Sequence, residues 1–581
     1  MRKTGFIILF MAILGTVGIG RSEDQVVERT LTSKDLYSGL EATRVLPKDT
    51  SLVLDVRNWP KNGAAGIITT DIIDLGDDGI LGKAAAVTDL RIALTTKCEA
   101  PASVTTEIRT GTTFFQDAGT WTAWQLYEGA FAPRGHYAQI RLKLSTTDIK
   151  VLPAVNAVRL TYSLKAPVFQ GSVTLVEDRV QKIVNSVVVF GYERPDQPDL
   201  LWLNKTFKLE GVIAGKKTEF EKLRALLDWV AARKNKRPGP TNSDGSYPWN
   251  LREVFTEENG GTMRGHCMSY CETFIAVAVS LGWQARHFAI QGFRDTSHEV
   301  PEVWVNELAK WVYMDPSLDT YYTDRKTNEP LNLLQMHNAY VNFVLKPGEI
   351  LRRGEEVNLD RVESLRGKHP VKCITNDYTY GQREKWDWEF GHGYLTAGWM
   401  QLTPRNNWQS QPQPWCKDFS DSPDGYCGFP VYVDSRTPIV EPTTSLWYTR
   451  ERDFWWTLNQ ASFRMIRSQD NTVEVECGTS QPFFHKYLAR IDDSDWRPVD
   501  VQFTWTLKAG NNRIEITCED EFGKRASASL AIVRYDPNDS SHGAIDATAF
   551  SALVRPRSTG WAPGGASRPE CAAGSGSSRD H

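Results

Sequence analysis

One segment of the chain, residues 261–317, joins a helical apolar stripe to a run of strand-like residues. Five residues recur at the four- and three-residue spacing of one helical face: Cys267, Cys271, Phe274, Ala278 and Leu281. Gly282 follows as a helix stop. Residues 284–291, 298–305 and 311–315 then carry the β-branched and aromatic mixture of three short strands. A helix followed directly by a hairpin predicts an α+β unit here.

Both flanks of this unit show an all-β pattern. Short alternating segments separated by turn residues occupy about 51–165, and alternation returns at about 429–535. The run 135–162 resembles a jelly-roll module of the kind attached to extracellular enzymes, and the last run resembles an immunoglobulin-like sandwich. The fold class predicted is therefore α+β and multidomain, with a β-sandwich on each side of the central core.

The central segment also carries three residues that can form a nucleophilic site. Cys267 opens the helical stripe, His298 begins the second predicted strand, and Asp315 ends the third. A thiol attacks only as its thiolate, and an imidazole oriented by a carboxylate creates one near neutral pH. Gly265 permits a tight turn before the helix, and the unpaired N–H groups of a first helical turn favour a negative sulfur.

At these residues the chain resembles the transglutaminase-like superfamily of cysteine enzymes. Three pieces carry the resemblance, in order: Gly265-His266-Cys267, the run His298 to Val303, and the run Trp311 to Pro316. The chain departs from the pattern where many members have a tryptophan two residues after the histidine, because Val300 and Pro301 stand there. A proline suits an edge or a bulge, so the resemblance implies the order of the three residues but not the detailed shape of the cleft beside His298.

The resemblance implies a papain-like α+β core that performs acyl transfer at an amide bond. Cys267 would be the nucleophile, His298 would remove and return the proton, and Asp315 would fix the histidine tautomer. The backbone N–H of Cys267 would be the first oxyanion donor, and Trp249 is the candidate for a second. These steps need no cofactor and no metal.

We expect the other cysteines and histidines nearby to have structural roles. Cys271 lies one turn inside the same stripe and is expected to be core packing. His266, Cys267 and Cys271 lack the spacing of zinc motifs, so no metal site is predicted. His287 and His337 stand alone in apolar or mixed stretches and are expected to be satisfied structural groups.

The length and charge of the chain limit the classes of function and partner. With 581 residues the chain has room for several domains, and its net charge of −4 without a basic stripe argues against nucleic acid as a partner. A basic start, an apolar run and small residues at 1–22 predict a secretory signal, and no later segment is apolar enough to span a bilayer. We therefore expect a secreted, periplasmic or extracellular protein with no stable membrane span.

The nine cysteines are too few for a disulfide scaffold and odd in number. Two pairings are suggested by sequence proximity or by neighbouring strands, namely Cys416 with Cys427 and Cys477 with Cys518. Either pair could equally be reduced.

These observations divide the chain into six predicted parts. They are a signal peptide at 1–22, an N-terminal jelly-roll-like β-sandwich at 23–170, the transglutaminase-like core at 171–370, an aromatic-rich irregular connector at 371–428, an immunoglobulin-like sandwich at 429–536 and a disordered tail at 537–581.

The predicted function is acyl transfer or hydrolysis at an amide bond through a thioester. A lysine amine as acceptor would give crosslinking, water on a peptide would give proteolysis, and water on a glycosylated asparagine would give an amidase. The β modules and the 20 tryptophans favour a glycoconjugate or cell-surface polymer as substrate and an extracellular polysaccharide as a further partner. The alternatives are a noncatalytic protein that binds carbohydrate or protein on this scaffold, and a carbohydrate-active enzyme that uses other residues.

Overall fold

The computed structural model describes residues 25–56, 64–76, 79–83, 85–115, 119–165, 167–233, 251–255, 263, 267–291, 297–350, 370–375, 399–410, 430–434, 436 and 446–539. Its strands form five sheets. Along the chain, a β unit precedes a central sheet with helices and a second β unit follows it. The predicted signal peptide at 1–22, and the predicted tail beyond residue 539, lie outside the described residues. Within the described ranges, no helix is both long and apolar enough to cross a bilayer.

The N-terminal unit contains one short helix and twelve strands. They are β1 (Gln25–Thr32), α1 (Ser33–Tyr37), β2 (Glu41–Thr43), β3 (Val45–Lys48), β4 (Ser51–Leu54), β5 (Ala64–Thr69), β6 (Ile73–Asp74), β7 (Leu81–Lys83), β8 (Ala86–Lys97), β9 (Ser103–Gly111), β10 (Gln125–Leu126), β11 (Tyr137–Thr146) and β12 (Ala154–Lys165). One sheet runs β1–β12–β4–β3 with β8 also on β12, and the other runs β10–β9–β11–β5–β2 with β6 on β11.

These two sheets share one apolar core. Leu142 on β11 and Leu160 on β12 alternate inward from opposite sheets and are both buried. The unit is therefore β-rich, as expected from the alternation, while its jelly-roll type stays a prediction.

The central unit follows β13 (Ser172–Arg179). Its elements are α2 (Pro198–Phe207), α3 (Leu209–Ile213), α4 (Glu219–Ala231), α5 (Leu251–Val254), α6 (Cys267–Ser280), β14 (Ala285–Gln291), β15 (Ser297–Val305), β16 (Lys310–Asp315), β17 (Thr320–Asp324), α7 (Leu333–Val344), β18 (Val371–Thr375), β19 (Trp399–Leu402), β20 (Pro430–Tyr432) and β21 (Leu446–Tyr448). The strands form one eight-stranded sheet in the order β18–β17–β16–β15–β14–β19–β20–β21. One apolar cluster joins α2, α3, α4 and α6 to one face, and a second joins α7 to the other.

Helix α6 is the central helix of the protein. Twelve of its residues are buried, so the helix is buried on all sides rather than along one stripe. It ends where the sequence predicts, because Gly282 adopts a left-handed φ of +86° and the N–H of Trp283 bonds the carbonyl of Ala278 at 3.0 Å. The sharp stop sends the chain directly into β14.

The strands β14, β15 and β16 form an antiparallel meander. Ile290 pairs with His298, and Trp304 pairs with Trp311. Because β15 and β16 run in opposite directions, the start of β15 and the end of β16 lie at the same edge of the sheet. The strand order therefore delivers His298 and Asp315 to one place.

The predicted boundaries of the central unit need correction. The segment 371–428 was expected to be an irregular connector, but its described residues include β18 and β19, which belong to the central sheet. The predicted start of the last domain at 429 is also wrong, since β20 and β21 extend the same sheet. Strand β13, placed in the core by sequence, pairs instead with a strand near the C-terminus. Alternation predicts a strand and does not specify its partner.

The C-terminal unit contains β22 (Ala461–Gln469), β23 (Thr472–Thr479), β24 (Phe484–Ile491), β25 (Arg497–Val499), β26 (Gln502–Thr506), β27 (Gly510–Asp520) and β28 (Ser529–Asp536). Its sheets run β13–β28–β27–β24–β25 and β26–β23–β22–β7 around one core. Each sheet thus takes one strand from an earlier part of the chain. The immunoglobulin-like type stays a prediction.

The suggested disulfide between Cys477 and Cys518 is absent. Both are buried thiols on β23 and β27, and the Cys518 thiol donates a hydrogen bond to Gln481 Oε1 at 2.8 Å. The other suggested pair, Cys416 with Cys427, lies outside the described residues.

Candidate active site

Cys267 is the first residue of α6. Its side chain is half-buried, whereas Cys271 one turn later is fully buried. The first N–H groups of a helix have no partner within the helix and carry partial positive charge. The fold thus places an accessible sulfur where a thiolate is favoured.

His298 and Asp315 are in direct contact at the edge of the sheet. His298 Nε2 lies 2.8 Å from Asp315 Oδ2, and the Asp315 side chain is fully buried. The same oxygen accepts a hydrogen bond from the Tyr313 hydroxyl at 3.3 Å, and Oδ1 accepts one from the Ser317 N–H at 2.8 Å. Three donors therefore fix this carboxylate, which in turn orients the ring of His298.

The other side of the His298 ring faces the sulfur. The side chain of His298 is hydrogen-bonded with Cys267. Since Nε2 is directed to Asp315, Nδ1 is the nitrogen left for the sulfur. The structure thus brings together the three residues that the sequence selected.

The electrostatics of this group favour a charged histidine. Burial alone would lower the pKa of His298, because a charged ring loses hydration. The Asp315 carboxylate, through its charge and its hydrogen bond, and the contact with Cys267 outweigh burial and raise the pKa of His298 to about 10. An imidazolium that persists through neutral pH stabilises a thiolate beside it.

A buried ion pair anchors the strands that carry these residues. Arg286 on β14 donates to Glu302 Oε2 on β15 at 2.9 and 2.6 Å, and to the carbonyl of Phe454 at 2.5 Å. Glu302 Oε1 accepts the N–H of Leu333 at the start of α7 at 2.6 Å. The Glu302 carboxylate therefore links β14, β15 and the start of α7. Its partner Arg286 carries a guanidinium, which is always charged.

The second cysteine of α6 does not share this environment. Burial, followed by the charges of Glu272, Glu299 and Asp315, raises the pKa of Cys271 well above that of an ordinary thiol. A protonated and fully buried thiol is a poor nucleophile. The expectation that Cys271 is not the reactive cysteine agrees with these observations.

A second histidine–carboxylate pair lies next to Cys271. His287 Nε2 on β14 is 2.5 Å from Glu299 Oε2 on β15, and the Thr403 hydroxyl contacts Nδ1 at 2.9 Å. Glu272 Oε1 lies 3.4 Å from Nδ1. Burial, with Glu299 adding to it and His287 opposing it, raises the pKa of Glu272 to about 7. Sequence reasoning found none of these partners, although it took His287 to be a satisfied group.

Other predicted features of the site lie outside the described residues. They are Trp249, the candidate second oxyanion donor, and the turn at Gly265 and His266. Tyr313, which contacts the carboxylate of Asp315, was not singled out. The alternation of β16 was its signal, because Tyr313 and Asp315 are two residues apart and point to the same side of the strand.

The comparisons with known proteins agree with the resemblance. Residues 208–316 match the model of the transglutaminase-like superfamily. A search of curated proteins finds no significant match. The match of this region to the family model supports the assignment of the protein as a cysteine enzyme in general.

Two of the solved structures that match are distantly similar to this chain. A candidate cysteine protease from Cytophaga hutchinsonii is 15% identical, with 40% of this chain and 77% of that chain covered and a TM-score of 0.17. A candidate protease from Parabacteroides distasonis is 10% identical, with 46% and 64% covered and a TM-score of 0.15. Such scores are too low to support a conclusion. The family assignment therefore rests on the sequence match that includes Cys267, His298 and Asp315, and residues 208–316 belong to the transglutaminase-like superfamily.

Proposed function

We propose that this protein is an exported cysteine enzyme that breaks an amide bond of a protein, peptide or glycoconjugate through a thioester. The observation that carries the proposal is one arrangement: Cys267 begins α6, is hydrogen-bonded with His298, and His298 lies 2.8 Å from the buried Asp315. The signal-like sequence at 1–22 supports export.

In the first half of the reaction, the Cys267 thiolate attacks the carbonyl carbon of the amide. A carbon–sulfur bond forms and the carbonyl electrons move to oxygen, where the backbone N–H of Cys267 is placed to donate. The carbon–nitrogen bond then breaks, and the His298 imidazolium gives its proton to the leaving nitrogen. The products are a thioester on Cys267, a free amine and a neutral His298.

In the second half, an acceptor attacks the thioester. His298 removes a proton from water or from an amine as the new bond to carbon forms, and the thiolate leaves. Water gives a carboxylic acid, and an amine gives a new amide. Asp315 holds the ring of His298 in the same orientation for both proton transfers.

The first test is the pH dependence of iodoacetamide alkylation at Cys267, followed by peptide mapping. Cys98 is exposed and gives an internal reference in the same sample. We expect Cys267 to react quickly at mildly acidic pH, where Cys98 is slow. In His298→Ala, Cys267 should react like Cys98. Equal profiles for the two cysteines in the wild type would contradict the proposal.

A second candidate function is polysaccharide binding by the N-terminal unit. A cleft of about 590 Å³ on the sheet that contains β1, β8 and β12 is lined by Tyr127, Ile92 and three charged side chains. Among these, Glu28 and Arg159 form an exposed pair at 3.2 Å. An aromatic ring beside paired charges suits a sugar. Retention on immobilised polysaccharides should fall in Tyr127→Ala; unchanged retention would remove this candidate.

A further inference from the structure

Three side chains of different chemistry converge between α6 and β14, beside the candidate active site. Cys271 Sγ, a Glu272 carboxylate oxygen and a ring nitrogen of His287 all lie within 4.8 Å of one another. Cys271 and His287 are fully buried, and the Glu272 side chain is 13% exposed. The proposed acyl chemistry uses none of them.

Glu272 is the unusual member of this cluster. Both of its carboxylate oxygens are buried, and neither accepts a hydrogen bond. The distance of 3.4 Å to His287 Nδ1 is longer than that of a charge-assisted hydrogen bond. A buried carboxylate without hydrogen bonds is costly. His287 and Arg405 act on Glu272 through their charge without donating a hydrogen bond to it, so its oxygens remain open to a directly bound cation.

We propose that Cys271, Glu272 and His287 together bind one zinc ion or a similar thiophilic divalent cation. Thiolate, imidazole and carboxylate are the three ligand types that proteins offer to zinc, and zinc sites with three protein ligands keep a fourth position for water. A spread of 4.8 Å is slightly wider than such ligands keep around a bound zinc, so binding draws the three groups together.

The surroundings of His287 fit a metal ligand. A ligating histidine commonly donates its other ring N–H to a carboxylate, which fixes the tautomer. Glu299 takes this place, 2.5 Å from His287 Nε2, and leaves Nδ1 on the side of Glu272. The Thr403 hydroxyl contacts Nδ1 at 2.9 Å. When an ion binds to Nδ1, this hydroxyl either rotates away or becomes a further ligand.

A small cavity borders the site on the side of Glu272. It measures about 10 Å³, and Glu272, Glu193, Asn406 and Gln409 are among its lining residues. This volume holds about one water molecule. Polar groups on its wall, among them Asn406 and Gln409, can hydrogen-bond a water beside Glu272.

Binding changes the protonation of Cys271 and the charge near Cys267. The ion replaces the thiol proton of Cys271, which leaves to solvent, so affinity rises with pH. Cys267 lies one turn earlier on the same helix, and the bound cation therefore adds positive charge near the reactive sulfur. The site is separate from the Cys267 group, and its test does not depend on the proposed activity.

The experiment measures metal binding by the full chain. Purified protein is stripped with a chelator, and zinc content is determined after addition of zinc and gel filtration. Cobalt(II) titration then reports the ligands, because a bound thiolate gives a near-ultraviolet charge-transfer band. We expect one ion per chain and a thiolate band. Both should be lost in Cys271→Ser, and affinity should fall at least tenfold in Glu272→Gln and about 10- to 100-fold in Glu299→Gln.

The matched control is Cys267→Ser, which removes the other thiol of the helix. It should keep one ion per chain and the cobalt band. If the ion is lost in Cys267→Ser and kept in Cys271→Ser, the metal sits on the reactive thiol and the proposal is overturned. Absence of stoichiometric binding in the wild type also overturns it. Circular dichroism of each variant distinguishes the loss of a metal ligand from the loss of the fold. If Cys271→Ser does not fold, Glu272→Gln provides the test instead.

Discussion

Two histidine–carboxylate pairs lie close together in this protein, and each is next to a cysteine of the same helix. His298 contacts Asp315 beside the half-buried Cys267, and His287 contacts Glu299 beside the fully buried Cys271. Each region therefore contains a thiol, an imidazole and a carboxylate. The surroundings differ, and the surroundings decide what each thiol can do.

The two regions differ in access and in how their carboxylates are satisfied. Asp315 accepts hydrogen bonds from Tyr313 and Ser317 and contacts His298, so both of its oxygens are satisfied. Glu272 accepts none and lies against His287. A satisfied carboxylate beside an accessible thiol suits catalysis, whereas an unsatisfied one beside a buried thiol suits ion binding.

The strongest test of this difference is removal of the His298 imidazole. We expect His298→Ala to lower amide turnover by about 10⁴-fold or more, since members of such a group act as a unit. Turnover of a peptide amide library by wild type and variant measures the effect. Replacement of His337, a buried histidine paired with Asp434 elsewhere in the central unit, is the matched control. An equal loss in His337→Gln with a native fold would contradict a special role for His298.

Removal of the charge on Asp315 should have the next largest effect. Asp315→Asn keeps the shape but lets His298 adopt the wrong tautomer, and we expect turnover to fall about 10³- to 10⁴-fold. The alkylation profile of Cys267 should move towards higher pH in the same variant. Asp324→Asn on the neighbouring strand β17 is the control, because the Asp324 carboxylate accepts hydrogen bonds from Lys326 and Thr327 in its own turn. A normal Cys267 profile in Asp315→Asn would mean that Asp315 does not act through His298.

The reactive group was predictable because its signals are local. Cys267 begins α6, His298 is the second residue of β15 and Asp315 ends β16, and the periodicity of each element is visible in a short stretch of sequence. Two neighbouring antiparallel strands bring the start of one beside the end of the other. The stop of α6 at Gly282 was visible for the same reason. Local pattern therefore determined the helix, the hairpin and the position of the three residues.

The second cluster and the strand partners were not predictable in this way. Glu272, His287 and Glu299 meet only because α6 packs on β14 and β15. Thr403, which contacts His287, directly follows β19 and lies far along the chain. The pairing of β13 with β28, and of β7 with β22, likewise joins distant segments. A strand pattern with period two specifies which faces are buried and leaves the neighbour undetermined.

The charge on His298 should also make stability depend on pH. The folded pKa of about 10 is raised above the usual value of about 6.5, so the stabilisation is complete below pH 6.5 and is lost as pH rises to 10. The free energy of unfolding should fall by up to about 1.4 kcal/mol per pH unit in this window. Urea unfolding at several pH values measures the slope. His298→Gln should flatten it, and an unchanged slope would show that another group titrates.

The smallest expected effect is removal of the Tyr313 hydroxyl. Tyr313→Phe deletes one of the donors to Asp315, at 3.3 Å, and leaves the ring packed among buried aromatic residues. Because His298 and the Ser317 N–H still hold the carboxylate, we expect a loss of about 1 kcal/mol in stability and a fall in turnover of less than about tenfold. The pH profile of Cys267 alkylation separates two roles. A small shift of the profile to higher pH would mean that the Tyr313 hydroxyl tunes Asp315. A loss of stability without any shift would mean that Tyr313 contributes packing alone. In that case fewer contacts orient His298 and Asp315 than the structure suggests.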